Sequence, residues 1–93
     1  RLFEPRDSYT NYQVMEAAIT MPTSTNYFWI GINDLATEGT FQYATGGDLV
    51  YTNWNAGEPN NSGDEDCVEF YNGLTAWNDR PCNVKWPSIC EIV

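Results

Sequence analysis

The run Glu58-Pro59-Asn60-Asn61-Ser62-Gly63-Asp64-Glu65-Asp66 places a carboxylate, amide or hydroxyl oxygen at almost every position. Calcium takes about six to eight oxygen ligands of these kinds, so the segment reads as a donor set for a hard cation. A second oxygen-bearing pair, Asn78-Asp79, follows later in the chain. Glu58, Asp64, Glu65, Asp66, Glu69 and Asp79 fall in one stretch, where mutual repulsion costs stability unless a bound cation offsets it. Charge counting alone would also accept a solvated acidic surface. The chain has no His, which excludes imidazole-based zinc sites and histidine general bases and leaves oxygen-ligand chemistry. Glu58, Asn60, Ser62, Gly63, Asp66 and Glu69 also match positions of an EF-hand loop. That motif needs a helix on each side, which Trp54-Asn55-Ala56-Gly57 and Asn72-Gly73 oppose.

Such oxygens must be brought together by a scaffold. Asp7 or Ser8 can cap a helix in which Tyr12, Met15, Ala18 and Ile19 make an apolar stripe, ending near Thr20 to Pro22. Tyr27 to Ile32 reads as a buried strand, Phe41 to Ala44 as a brief one, and Gly46-Gly47 as a tight turn. From Thr52 to Asp66 only Trp54 and Ala56 are clearly apolar, and a compact domain usually keeps so long an irregular stretch for function. Cys67 to Tyr71, Thr75 to Trp77 and Ser88 to Val93 read as closing strands, the second leading into Asn78-Asp79. A cross-link between Cys67 and Cys82 would tie the two donor segments together and limit the freedom of the unfolded chain.

At 93 residues the chain can form one domain with a small core, for which four Trp, six Tyr and four Phe supply large buried rings. A formal charge of -9 disfavours nucleic acid and anionic membrane surfaces as partners, and no apolar run reaches membrane-spanning length, so direct membrane insertion is not expected. Cys67, Cys82 and Cys90 lack Cys-x-x-Cys spacing and suggest disulfides of an oxidising compartment, hence a secreted or extracellular protein or the ectodomain of a membrane protein. Three is an odd number: one thiol is free, or its partner lies outside this chain. Trp29, Trp54 and Trp77 read as core and not as ligand-stacking platforms, Trp86 is undecided, and Glu4, Glu16, Asp48 and Glu91 read as solvated or locally paired charges.

Several motifs in order resemble the C-type lectins, most closely the collectin-like, mannose-type branch. Trp29-Ile30-Gly31-Ile32 is similar to the core strand of that family, and Trp54 with Gly57-Glu58-Pro59-Asn60 to its long-loop signature. Trp77-Asn78-Asp79 is similar to its closing calcium motif, and Glu65-Asp66-Cys67-Val68 and Cys90-Glu91 also fit. The resemblance implies an α+β C-type lectin-like fold of small mixed antiparallel sheets, one helix and long calcium-binding loops. Residues 1–93 would then be the C-terminal two-thirds or more of a carbohydrate-recognition domain whose first strand and helix are not in this chain. It further implies a principal calcium and sugar site at Glu58, Asn60, Glu65, Asn78 and Asp79, with a cis Glu58–Pro59 peptide. An auxiliary calcium is implied at Asp34, Glu38, Asn61 and Asp66, where Asn61 stands in place of a frequent Asp. Cys67 is expected to pair with Cys82, and Cys90 with a cysteine outside the chain. Asn60-Asn61-Ser62 is also a glycosylation sequon, expected to be unmodified because a glycan would block a calcium ligand.

In this reading two vicinal sugar hydroxyls complete the calcium shell, giving protons to Glu58 and Glu65 and accepting them from the amides of Asn60 and Asn78. The Glu-Pro-Asn order suits equatorial hydroxyls, as on mannose, glucose, N-acetylglucosamine or suitably placed fucose hydroxyls. So shallow a site should bind a monosaccharide at roughly millimolar strength, so an oligomer or multivalent array is expected. Two rivals stand beside it. A glycosidase using Glu58 and Glu65 would need one of them protonated in an apolar setting, which calcium ligation opposes. A lectin-like domain with structural calcium, binding a protein or mineral surface, would lack calcium-dependent sugar binding.

Overall fold

A computed structural model describes residues 1–19, 27–59, 65–71 and 76–91. Asp7 caps helix α1 (Ser8–Ile19): its Oδ1 accepts the Thr10 backbone N–H at 2.7 Å, satisfying a donor left open in the first turn. Of the expected α1 stripe Met15 is buried and Tyr12 is not, and the side chains of Ala18 and Ile19 lie outside the described residues. Tyr12 is 57% exposed, whereas Asn11 and Met15 are 3% and 2% exposed and lie one turn apart against the sheet. An amide takes the place of an aromatic ring because the Asn11 Oδ1 accepts the Trp77 indole N–H at 3.4 Å and its Nδ2 lies 3.4 Å from the Tyr51 hydroxyl.

Strands β1 (Tyr27–Asn33), β2 (Gln42–Tyr43), β3 (Cys67–Tyr71) and β4 (Ala76–Arg80) form one antiparallel sheet in the order β2-β1-β3-β4. Alternation along β1 sends Phe28, Ile30 and Ile32 into a core shared with Phe3, Met15, Tyr43, Val68, Phe70 and Trp77. Strand β4 runs beyond the expected Thr75–Trp77, carrying Asn78, Asp79 and Arg80 within the ladder; Thr75 lies outside the described residues. The expected closing strand Ser88–Val93 is not one. Ser88 and Cys90 make only isolated bridges, to Trp29 and Leu2, because the segment changes partner at Ile89, whose N–H donates to the Trp29 carbonyl while its own carbonyl accepts the Phe3 N–H; Ile92 and Val93 lie outside the described residues. Gly46 and Gly47 both have positive φ in the turn that returns the chain to Tyr43, as the Gly-Gly pair predicts.

Glu4 is not a solvated charge. Its side chain is fully buried and accepts from Arg6, from the Thr45 hydroxyl and from the Thr45 backbone N–H, 41 positions away in sequence. Burial pushes its carboxyl up, but Thr45, Arg6 and Arg1 together outweigh that and hold it below the ordinary carboxylate value. The segment that carries Glu4 crosses β1 at Gly31, whose N–H donates to the Phe3 carbonyl at 2.7 Å. A Cβ at Gly31 would meet the Glu4 Cγ at 2.9 Å and the Leu2 carbonyl oxygen at 3.0 Å. Backbone cannot retreat there without breaking the crossing, so Gly31→Ala should cost about 1–3 kcal/mol and lower Tm by several degrees in a thermal melt. An unchanged Tm would mean that the crossing is not as close as described.

Candidate functional site

The long loop is fastened to the sheet by backbone bonds at one residue. Trp77 donates its N–H to the Asn53 carbonyl and accepts the Asn55 N–H at its own carbonyl, both at 2.9 Å, along the outer edge of β4. The loop then turns: Glu58 N–H donates to the Asn55 carbonyl at 2.9 Å, and Gly57 takes a positive φ of 83° that other residues rarely adopt. The Glu58–Pro59 peptide that follows is cis, as the resemblance implied. Glu58 is thereby anchored beside the strand that continues into Asn78 and Asp79.

On the far side of β4 the register pairs Asn78 with Glu69 and Asp79 with Val68. Asp79 is 0% exposed and Glu65 8% exposed, so both carboxylates lie deep. The Asn78 Oδ1 is buried and has no hydrogen-bond partner among the described residues. A buried amide oxygen left in that state costs stability unless a donor or cation reaches it, so its chemistry fits a cation ligand. Asn60 lies outside the described residues. Asn78 and Asp79 thus lie within β4 and Glu65 two residues before β3, and a disulfide ties the two strand ends: Cys67, at the start of β3, is bonded to Cys82, just past the end of β4. Cys90 is free and exposed, so none of this chain's own cysteines is its partner.

The tightest gathering of carboxylates among the described residues is the auxiliary set. Asp34, Glu38 and Asp66 bring carboxylate oxygens within 4.8 Å of one another, whereas Glu58, Glu65 and Asp79 do not form such a group. Asp34 sits just past β1, tied to the other strand entry by its N–H donating to the Asp66 carbonyl at 3.0 Å. Its Oδ2 accepts the Gly39 N–H at 2.8 Å, while its Oδ1 is buried with no partner among the described residues. Asn61, expected in this set, lies outside the described residues. Hydrogen bonding to Asp34, with desolvation and the charges of Asp34 and Asp66, pushes the Glu38 carboxyl up to about 7. Carboxylates this close repel one another, and the all-oxygen donor set suits a hard cation.

Glu69 carries a role that sequence reading missed. It is fully buried and accepts from the Trp86 indole at 2.8 Å on Oε1, and from Arg80 Nε at 3.1 Å and Asn78 Nδ2 at 3.3 Å on Oε2. The bond to Glu69 raises the Arg80 guanidinium pKa. Trp86, undecided from sequence, stacks on Tyr27 with ring centroids 4.9 Å apart, whereas Trp77 is fully buried and Trp29 and Trp54 are half-buried.

Among the described residues one helix packs with a small antiparallel sheet, and the loop segment from Asn53 to Glu58 is pinned beside β4, the architecture of a lectin-like recognition domain. Over residues 1–92 the sequence matches the lectin C-type domain, and the chain belongs to that family. It is 48% identical over 71 residues to the C-type lectin domain family 4 member M of Nomascus concolor, an alignment taking in 73% of this chain and 17% of that protein. The chain therefore spans a small part of such relatives. The mouse scavenger receptor C-type lectin carbohydrate-recognition domain has the same fold, with a TM-score of 0.77 and 26% identity over 90% of this chain and 62% of that one. So does the cow carbohydrate-recognition domain of CD23, solved in the presence of a GlcNAc2Man3 oligosaccharide, with a TM-score of 0.72 and 32% identity over 86% of this chain and 58% of that one.

The raised Glu38 pKa has a signed consequence for the calcium-free protein. Between the unfolded value of 4.5 and the folded value of about 7 the native state binds more protons, so stability falls as pH rises through that window. In chelator, Tm should therefore be higher at about pH 5 than at about pH 7.5, and Glu38→Gln should remove most of the difference. With millimolar calcium the slope should reverse, because protons and cation compete for the same oxygens. Melts with the same slope in chelator and in calcium would show that no cation binds this cluster.

Proposed function

We propose that this domain binds sugars through calcium, with mannose-type selectivity, and that it binds without turnover. Membership of a lectin family gives carbohydrate recognition in general, and the family is generally non-enzymatic. The observation that carries the finer reading is the buried, unpartnered Asn78 Oδ1 beside a Glu58–Pro59 loop anchored through Trp77. Glu58, Asn60, Glu65, Asn78 and Asp79 would hold the principal ion, and Asp34, Glu38, Asn61 and Asp66 an auxiliary one. Calcium supplies positive charge and open coordination positions for two hydroxyls. The chain's own groups set orientation: Glu58 and Glu65 accept the hydroxyl protons, and the amides of Asn60 and Asn78 donate to the hydroxyl oxygens. Acceptors on one side and donors on the other suit vicinal equatorial hydroxyls, as on mannose, glucose, N-acetylglucosamine or fucose. The cow CD23 domain, solved with a mannose-containing oligosaccharide, is in keeping with that class. The Cys67–Cys82 disulfide supports a secreted or extracellular setting, and the weakness expected of one shallow site supports an oligomer or multivalent array.

A glycan array probed with a multivalent form of the domain, with and without chelator, tests this directly. Signal should concentrate on mannose-type ligands and vanish on chelation, and free mannose should compete at roughly millimolar concentration, about -4 kcal/mol. Asp79→Asn should abolish both calcium and sugar binding in calorimetry while leaving the fold intact by circular dichroism. Sugar signal that survives chelation, or none at all, would instead favour a protein or mineral surface as the ligand.

A further inference from the structure

A carboxamide has two nearly isosteric ends, and which end faces a cation decides whether it is a ligand or a repeller. The Asn78 nitrogen and oxygen exchange places on rotation of the side chain by half a turn, so something must hold the oxygen outward. The neighbour across the ladder is Glu69, directly opposite Asn78 in the β3–β4 register. An ionised carboxylate only accepts hydrogen bonds, so the Asn78 Nδ2, 3.3 Å from Glu69 Oε2, has to face it. The Oδ1 then points away and is left buried without a partner among the described residues. Turned over, the amide would set its oxygen against the carboxylate.

Glu69 itself cannot swing to release the amide. Its Oε1 accepts the Trp86 indole N–H at 2.8 Å and its Oε2 also accepts from Arg80 Nε at 3.1 Å. Trp86 is held by its stack on Tyr27, and Glu69 is 0% exposed. We propose that Glu69, locked by Trp86 and Arg80, is a positioning residue that turns the Asn78 carboxamide so that its oxygen is presented to the cation and its second amide proton is left for a sugar hydroxyl. This rests on the calcium reading above and adds to it how one ligand is oriented before any ion arrives. Second-layer hydrogen bonds of this kind typically change metal affinity by about 10–100-fold.

Calorimetric titration with calcium alone, on the disulfide-bonded domain, tests it with two variants. Glu69→Gln keeps the shape but forces an amide donor against Trp86 or against Arg80 and Asn78, and should weaken calcium about tenfold or more. Trp86→Phe changes no charge, frees Oε1 from its donor, and should weaken calcium several-fold; it also serves if Glu69→Gln does not fold. In the calcium-free protein, NMR should give the two Asn78 side-chain amide protons widely separated shifts in the wild type, collapsing in Glu69→Gln. If the wild type binds calcium and Trp86→Phe binds it equally well, Glu69 acts at most through its charge and the positioning role is overturned while the calcium reading stands. A lower Tm in chelator with unchanged calcium affinity overturns it in the same way. If the wild type binds no calcium, the functional reading itself falls, and this role with it.

Discussion

Trp77 joins the parts of this domain that have to meet. Its ring is fully buried, edge-on to both Tyr51 and Trp54 with centroids 5.7 Å and 5.5 Å away, and its indole N–H reaches Asn11 on the helix. Both of its backbone polar groups are spent on the long loop, at Asn53 and Asn55. A buried backbone group without a partner is costly, so the loop cannot leave the edge of β4 without exposing a penalty in the core. The helix, the loop and the hairpin are thus fixed relative to one another at one residue, next to the Asn78-Asp79 pair. Irregular chain is tolerated beyond that point because its base is pinned.

Electrostatics divides the acids into two groups. Positive charge in this chain is scarce, with four Lys and Arg against thirteen Asp and Glu, and the arginines go to structural work. Arg1 and Arg6 pair with Glu4 and Glu91, and Arg80 with Glu69. Lys85 is exposed. Around Asp34 and Glu38 the near charges are negative, which is why Glu38 holds its proton to about 7. Burying a carboxylate against an arginine yields a finished interior, whereas gathering carboxylates together yields an unfinished one, which a cation from solvent completes. The Arg80–Glu69 pair lies inside the sheet, whereas Asp34, Glu38 and Asp66 lie in the segments that leave β1 and enter β3.

Much of this was legible before any coordinates. Turn residues bracketed the strands, Gly46-Gly47 marked its own turn, and the Glu-Pro-Asn and Trp-Asn-Asp segments stood at spacings that a resemblance could identify. What escaped was long-range partnership. Tyr12 belongs to the apolar periodicity of α1, yet Asn11 is buried, because a hydrogen bond to Trp77 across 66 positions outweighs hydropathy. Glu4 looks like any surface acid until Thr45 and Gly31 are brought against it. Glu69 did leave a signal: it interrupts the apolar Val68 and Phe70, so a strand over Cys67 to Tyr71 must turn it to the opposite face. In the closing segment Ile89 divides its backbone bonds between Trp29 and Phe3, so a ladder builds on neither.

The edge position of β4 also limits what the site can be. Alternation sends Asn78, with Arg80 and Glu69, to one face of the sheet and Asp79, with Trp77 and Val68, to the other. Neighbouring side chains on opposite faces of a central strand could not serve one ion, because the sheet would stand between them. At an edge strand the proposed reading would have both serve one ion, together with Glu58 from the loop that Trp77 holds there. On that reading Asn78 and Asp79 from the strand, Glu58 and Asn60 from the loop and Glu65 from before β3 would hold the ion, which would supply positive charge and positions for hydroxyls. Little apolar wall can surround a sugar in that place, so direct contact is confined to the few hydroxyls that reach the ion and its ligands. On the same reading single-site affinity would be weak, and strength would come from the number of sites engaged at once.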